Sequence, residues 1–223
     1  MKLLNNLFAY TWNGQDNNCN TYVFANALDN NRHLVIDPGH IKTPSTGEAA
    51  LERLLSEMQM DGLQTEDVGM VLLTHCHPDH FESARYLQEN YQALVAIHEI
   101  EGAVYAHYGG TADFLLRDGE LKLGKKKPFL LNVLHCPGHS PGHVAFYWAP
   151  EKVLIAGDAI FYQSTGRTDL PGGSPDQMKQ SILRLSEMDI EVLLCGHPYG
   201  HPGIIQGKKD VMENFDFLKQ HIL

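Results

Sequence analysis

The 223-residue sequence predicts an α/β protein of the αββα four-layer sandwich type. Apolar runs rich in β-formers come in two blocks, each followed by helical periodicity. Polar, chemistry-bearing residues stand at the ends of these runs rather than inside them. No linker, low-complexity stretch or strong internal repeat divides the chain, so a single domain over residues 1–223 is expected.

Taken in order, Thr21–Leu28 and His33–Asp37 read as strands separated by the turn Asp29-Asn30-Asn31, and Pro38-Gly39 ends the second. A helix follows over about Thr46–Met60, with Leu51, Leu54, Leu55 and Met58 on one stripe and Gly62 closing it. Val68–Thr74 is a buried-strand run ending at His75, and Asp79 is expected to cap a short helix to about Glu89. Leu94–His98 reads as a strand, and residues 100–118 as helix and loop. Phe129–His135 and His143–Trp148 are strands flanking the turn Pro137–Gly142, and Lys152–Ala156 adds another. Ser174-Pro175-Asp176-Gln177 opens a helix with a cap residue, a proline at the first position and Gln three residues on; its stripe is Met178, Ile182 and Leu185. Val192–Leu194 is a final core strand, and residues from about Gln206 to Ile222 form a terminal helix.

With 17 Lys+Arg against 27 Asp+Glu the formal net charge is −10, which argues against nucleic-acid and anionic-membrane partners. The basic run Lys125–Lys127 reads as a solvated loop. No apolar window is long enough to span a membrane and no secretory signal is visible, so a cytoplasmic protein with Cys19, Cys76, Cys136 and Cys195 reduced is expected. The 13 histidines are the compositional feature to follow along the chain.

They sort by position. Thr74-His75-Cys76-His77-Pro78-Asp79-His80 puts three imidazoles and a carboxylate just after a buried strand, where side chains converge on one point. Imidazole and carboxylate are the ligand set for zinc and other borderline divalent metals. The plain alternative, a capped helix start with incidental histidines, does not account for this local density. His139, Asp158 and His197 share the context, each following an apolar strand and each beside a glycine. A carboxylate left there without a partner is costly, and a metal supplies the partner. Seven such ligands suffice for two adjacent divalent ions bridged by a carboxylate; zinc is expected, with iron or manganese as alternatives.

In this order, His-X-His-X-Asp-His, a Pro-Gly-His turn, a Gly-Asp and a Gly-His resemble the metallo-β-lactamase superfamily, from Asp37-Pro38-Gly39 to His197. The resemblance implies the metallo-β-lactamase fold, a first metal on His75, His77 and His139, and a second on Asp79, His80 and His197, with Asp158 bridging. His143 resembles a frequent family position outside the ligand sets, and His201 is a candidate for the pocket wall. Cys76 should point away from its histidine neighbours. His33, His40, His98, His107, His135 and His221 are expected at the surface or in the core.

Two close divalent ions generate a bridging hydroxide near neutral pH and polarise the carbonyl it attacks, and one ion can stabilise the resulting oxyanion. Asp79 is the expected catalytic residue, ligand and orienter at once. No serine nucleophile is needed for this chemistry. Gly157–Phe161 and Thr165–Gly173 resemble the glyoxalase II-like, or hydroxyacylglutathione hydrolase-like, branch, which hydrolyses thioesters. Asp158 stands where many β-lactamases of the superfamily carry Cys, which argues against penicillin hydrolysis, and Phe161 stands where lactonase relatives tend to carry Tyr.

Glutathione specificity is not expected: the branch's glutathione-contacting Lys and Tyr correspond to Arg167 and Asp169, and 26 residues follow His197 where a helical region usually helps hold glutathione. Arg167–Asp169 is expected to hold its loop closed. The reading is a metallo-hydrolase of a small-molecule thioester, with Phe161, Arg167 and His201 as candidate substrate contacts. The alternatives are a mononuclear Fe(II) persulfide dioxygenase on His75, His139 and Asp158, which Gly166-Arg167-Thr168-Asp169 resembles; a lactonase; and a non-enzymatic metal-binding module. Nucleic-acid hydrolysis is disfavoured by charge. A homodimer through a helical face is left open.

Overall fold

The computed structural model describes residues 1–126 and 128–221. Lys127 of the basic run and the expected helix end at Ile222 lie outside the described residues. The first sheet takes β1 (Lys2–Leu4), β2 (Leu7–Tyr10), β3 (Thr21–Phe24), β4 (His33–Ile36), β5 (Val68–Leu72), β6 (Leu94–His98) and β7 (Phe114–Leu116), side by side in that order. The second takes β8 (Gly119–Leu123), β9 (Phe129–His135), β10 (Val144–Trp148), β11 (Val153–Gly157), β12 (Val192–Cys195) and β13 (Ile204–Gln206), also in chain order. Pairing is antiparallel from β1 to β4 and parallel from β4 to β7; in the second sheet β11 and β12 are parallel and the other pairs antiparallel. Helices α1 (Ala50–Met60), α2 (Pro78–Tyr91), α3 (Gly102–His107), α4 (Pro175–Ser186) and α5 (Lys208–His221) complete the chain.

Three separate apolar clusters make this a four-layer sandwich. Strand side chains alternate between faces, so Leu34, Ile36, Met70 and Leu72 of the first sheet meet Phe146, Val153, Ile155 and Leu194 of the second between the sheets. The opposite faces take the helices. Val35, Val71 and Val95 pack under Leu51, Leu54 and Met58 of α1, Phe81, Ala84 and Leu87 of α2 and Tyr105 of α3. Ala145, Leu154 and Leu193 pack under Met178, Ile182 and Leu185 of α4 and Val211, Phe215 and Leu218 of α5. Among the described residues no helix is long and apolar enough to cross a membrane.

Several local expectations are corrected. Helix α1 begins at Ala50, not Thr46, because Asp16 accepts the backbone N–H groups of Ser45 and Thr46 and holds them as a turn. Strand β3 ends at Phe24 and β5 at Leu72, short of the expected ends, and α5 starts after Gly207, which has φ +99°. Asp79 is not the cap of α2: His77 takes that position without a side-chain cap bond, Pro78 opens the helix, and the Asp79 carboxylate turns into the site. The three-residue strands β1, β7 and β13 were too short to read, and β7 lies inside the stretch expected as helix and loop. Ser174 does cap α4, accepting the backbone N–H of Gln177.

Phe146 is fully buried between the sheets. Phe146→Ala is expected to cost about 3–5 kcal/mol of stability, measured as a fall in the urea midpoint with unchanged slope.

Candidate metal centre

Strand ends from both sheets meet at one edge of the sandwich. The segment after β5 brings His75 and His77, the first turn of α2 brings Asp79 and His80, and the β9–β10 turn brings His139; Asp158 follows β11 and His197 follows β12. Ligand atoms converge in three overlapping groups: His75, His77 and His139; Asp79, His80 and His197; and His75, His80 and Asp158, which joins the other two. All seven residues expected as ligands are therefore brought together.

The donor set fits divalent ions on three counts. First, buried His75 Nε2 and Asp158 Oδ1 have no hydrogen-bond partner among the described residues. Second, imidazole nitrogens face one another, His77 Nδ1 to His139 Nε2 at 2.8 Å and His80 Nε2 to His197 Nε2 at 3.2 Å. Third, the rear nitrogens of His139, His80 and His75 are fixed. His139 Nδ1 donates to the Arg167 carbonyl at 2.8 Å, and His80 Nδ1 donates to Asp37 Oδ2 at 2.9 Å. Thr74 Oγ1 gives its proton to Asp37 and so accepts from His75 Nδ1 at 3.0 Å. Each of these rings is thus oriented with its other nitrogen toward the cluster, as metal-binding histidines require.

The buried side chains of the cluster also shift one another's charge. Burial raises Asp158, but the His197 and His80 imidazoles beside it hold its carboxyl well below the usual carboxylate range. Burial disfavours charge on His80 and His197, yet neighbouring carboxylates win: His80 is raised, chiefly by Asp158 and Asp37, and His197 goes up to about 9, chiefly through Asp158. His77, in contrast, falls to about 4 through burial and the adjacent His139 and His80. The buried carboxylates thus demand positive charge within the cluster, which a divalent ion would supply.

Several supporting residues had no assigned role in the sequence reading. Asp37 has left-handed φ of 51° and accepts from Thr74 N at 2.8 Å and Thr74 Oγ1 at 2.6 Å as well as from His80. Buried Glu101 accepts from Cys76 N, Ser140 Oγ and Gly142 N, tying the His75–His80 segment to the His139 turn of the other sheet. Asn17 donates to Asp79 Oδ2 at 2.6 Å and accepts from the Tyr199 hydroxyl at 2.9 Å, while the Tyr199 ring stacks on His197.

His143 accepts the Asp158 backbone N–H at 3.0 Å and so positions the loop that carries that carboxylate. Gly157 is obligatory there, since a Cβ would lie 2.8 Å from both His143 Nε2 and Thr74 Oγ1 at φ +51°.

A cleft of about 540 Å³ opens over the centre, with Phe161 and Arg167 in its lining. Phe161 packs edge-on to His197 and Tyr199. Arg167 reaches the site through its carbonyl, because Asp169 holds its guanidinium in a two-point pair at 2.7 and 2.8 Å, the closed loop expected from the sequence. His201 stacks on Tyr162 and lines an adjacent cleft. The Cys76 side chain packs with Phe81 and Tyr105 in the helix-side core, away from the cluster.

The model of the metallo-β-lactamase superfamily matches residues 14–197. A hydroxyacylglutathione hydrolase of Methylococcus capsulatus is 32% identical over 173 residues, which cover 77% of this chain and 63% of that protein. The chain spans about half to two thirds of the length of the hydroxyacylglutathione hydrolases it matches. The crystal structure of the B3 metallo-β-lactamase BLEG-1 superposes with a TM-score of 0.72 at 28% identity, covering 95% of this chain and 99% of that one. The crystal structure of TTHA1623 in a di-iron-bound form gives a TM-score of 0.63 at 30% identity, covering 85% of this chain and 91% of that one.

Asp37→Asn turns an acceptor toward His80 into an amide donor, which favours the tautomer with its proton on the metal-facing nitrogen. Metal affinity is expected to fall about 10–100-fold in competition with a chromophoric chelator, with the urea midpoint changed far less.

Proposed function

The chain belongs to the metallo-β-lactamase superfamily, and from that membership we propose that it is a metal-dependent hydrolase of a small-molecule thioester. The observation that carries this reading is the pair of three-residue ligand sets joined through Asp158 beneath an open cleft. His75, His77 and His139 would hold one ion, Asp79, His80 and His197 the other, and Asp158 would lie between them. Bound divalent ions supply a hydroxide at neutral pH and polarise the carbonyl it attacks.

The remaining work falls to the chain. Asp79 orients the attacking water, and Asn17 fixes that carboxylate from behind. Phe161 and Tyr199 give the cleft an apolar wall that keeps bulk water from the reacting carbonyl. Asp37, Thr74 and the Arg167 carbonyl hold the imidazoles in register. Similarity to hydroxyacylglutathione hydrolases supports a thioester as substrate, and two convergent ligand sets support a binuclear centre over a single iron. Zinc is the proposed metal, iron or manganese the alternatives.

The test is metal analysis of the purified protein, followed by chelation and assay on thioesters, lactones and a penicillin. Two divalent ions per chain are expected, with thioester turnover that drops to the uncatalysed rate on stripping and returns on reloading. One iron per chain with persulfide-dependent oxygen uptake overturns the reading. So does full activity after stripping, or turnover confined to lactone or penicillin.

A further inference from the structure

A second cleft abuts the metal cleft at Tyr199. Asn17 and Tyr199 stand in the walls of both, and the second, of about 670 Å³, is formed by residues 11–18 and 198–202. The common wall of the two clefts is therefore a hydrogen-bonded pair of side chains. Resting on the thioester-hydrolase reading, we propose that this second cleft is the subsite for the remote end of the substrate and selects an uncharged, hydrogen-bonding group over a carboxylate.

Charge carries the argument. Among the described residues the second cleft has no Lys or Arg in its lining. Arg167, in the metal cleft, is occupied by Asp169, and Arg53 is engaged from outside the lining, lying against the Trp12 ring, donating to Asn13 and pairing with Glu57. The carboxylates of Asp16 in the lining and Glu48 behind it stay ionised. Burial pushes Asp16 up, but the backbone N–H groups of Thr46, Ser45 and Asn17 outweigh it and hold the group at about 2. Glu48 is lowered by the N–H of Asp16 and the Thr46 hydroxyl. A carboxylate entering here meets the Asp16 carboxylate and no Lys or Arg of the lining, whereas the exposed Gln15 amide and the Trp12 and Tyr199 rings suit a neutral amide or hydroxyl group.

The experiment uses the metal-loaded protein and three non-hydrolysable thioethers: one neutral and amide-bearing, one with a carboxylate on the thiol half, one with a carboxylate on the acyl half. Their Kd values are measured by calorimetry, and the matching thioesters are assayed. The neutral compound is expected to bind about fivefold tighter than at least one carboxylate compound, and Gln15→Lys is expected to narrow that gap by about fivefold. Equal or tighter binding of both carboxylate compounds overturns the subsite, as does a gap that Gln15→Lys leaves unchanged. The two readings separate: thioester turnover with the wrong charge preference sinks the subsite alone. Absence of turnover on every thioester sinks the hydrolase reading, while the thioether Kd values still judge the subsite.

Discussion

The buried carboxylate of Asp37 ties three parts of the chain to one point. It closes the end of β4, accepts both the backbone and the hydroxyl of Thr74 at the end of β5, and takes the rear proton of His80 in the first turn of α2. A lone carboxylate in this position would be several kcal/mol unfavourable; three donors make it a hub. Because Thr74 spends its proton on Asp37, its oxygen is free to fix His75, so one carboxylate sets the orientation of two imidazoles.

The same logic spreads outward. Glu101 does for the two sheets what Asp37 does for two strands, gathering donors from the His75–His80 segment and from the β9–β10 turn. The Arg167 carbonyl and His143 play corresponding parts for His139 and Asp158. The centre is thus a set of lone pairs held in place by acceptors and donors one layer behind them. The rigid sandwich supplies that layer from strand ends of both sheets.

The clustered His and Asp residues were legible in the sequence because each follows an apolar strand and most lie within one short motif. The second layer was not. Asp37 meets Thr74 and His80 only after β4 and β5 pair, and Glu101 meets Ser140 only after the sheets dock; neither leaves a local spacing to read. Asp79 misled for a related reason. An acidic residue at a helix start is a good cap in isolation, and here the His/Asp cluster claims its carboxylate, with His197 on the other side. The four-layer architecture followed from the two blocks of strands and helices, whereas three-residue edge strands such as β7 carry no usable period.

In both sheets every strand lies beside its predecessor in the chain. Contacts within each sheet are therefore comparatively local and quick to close. The ligands, by contrast, run from His75 to His197 and come from both sheets. Each sheet can form from its own segment of chain, and the ligand cluster comes into being only when the two dock. Divalent ions bound to the complete cluster would therefore favour the docked pair of sheets over the two sheets apart.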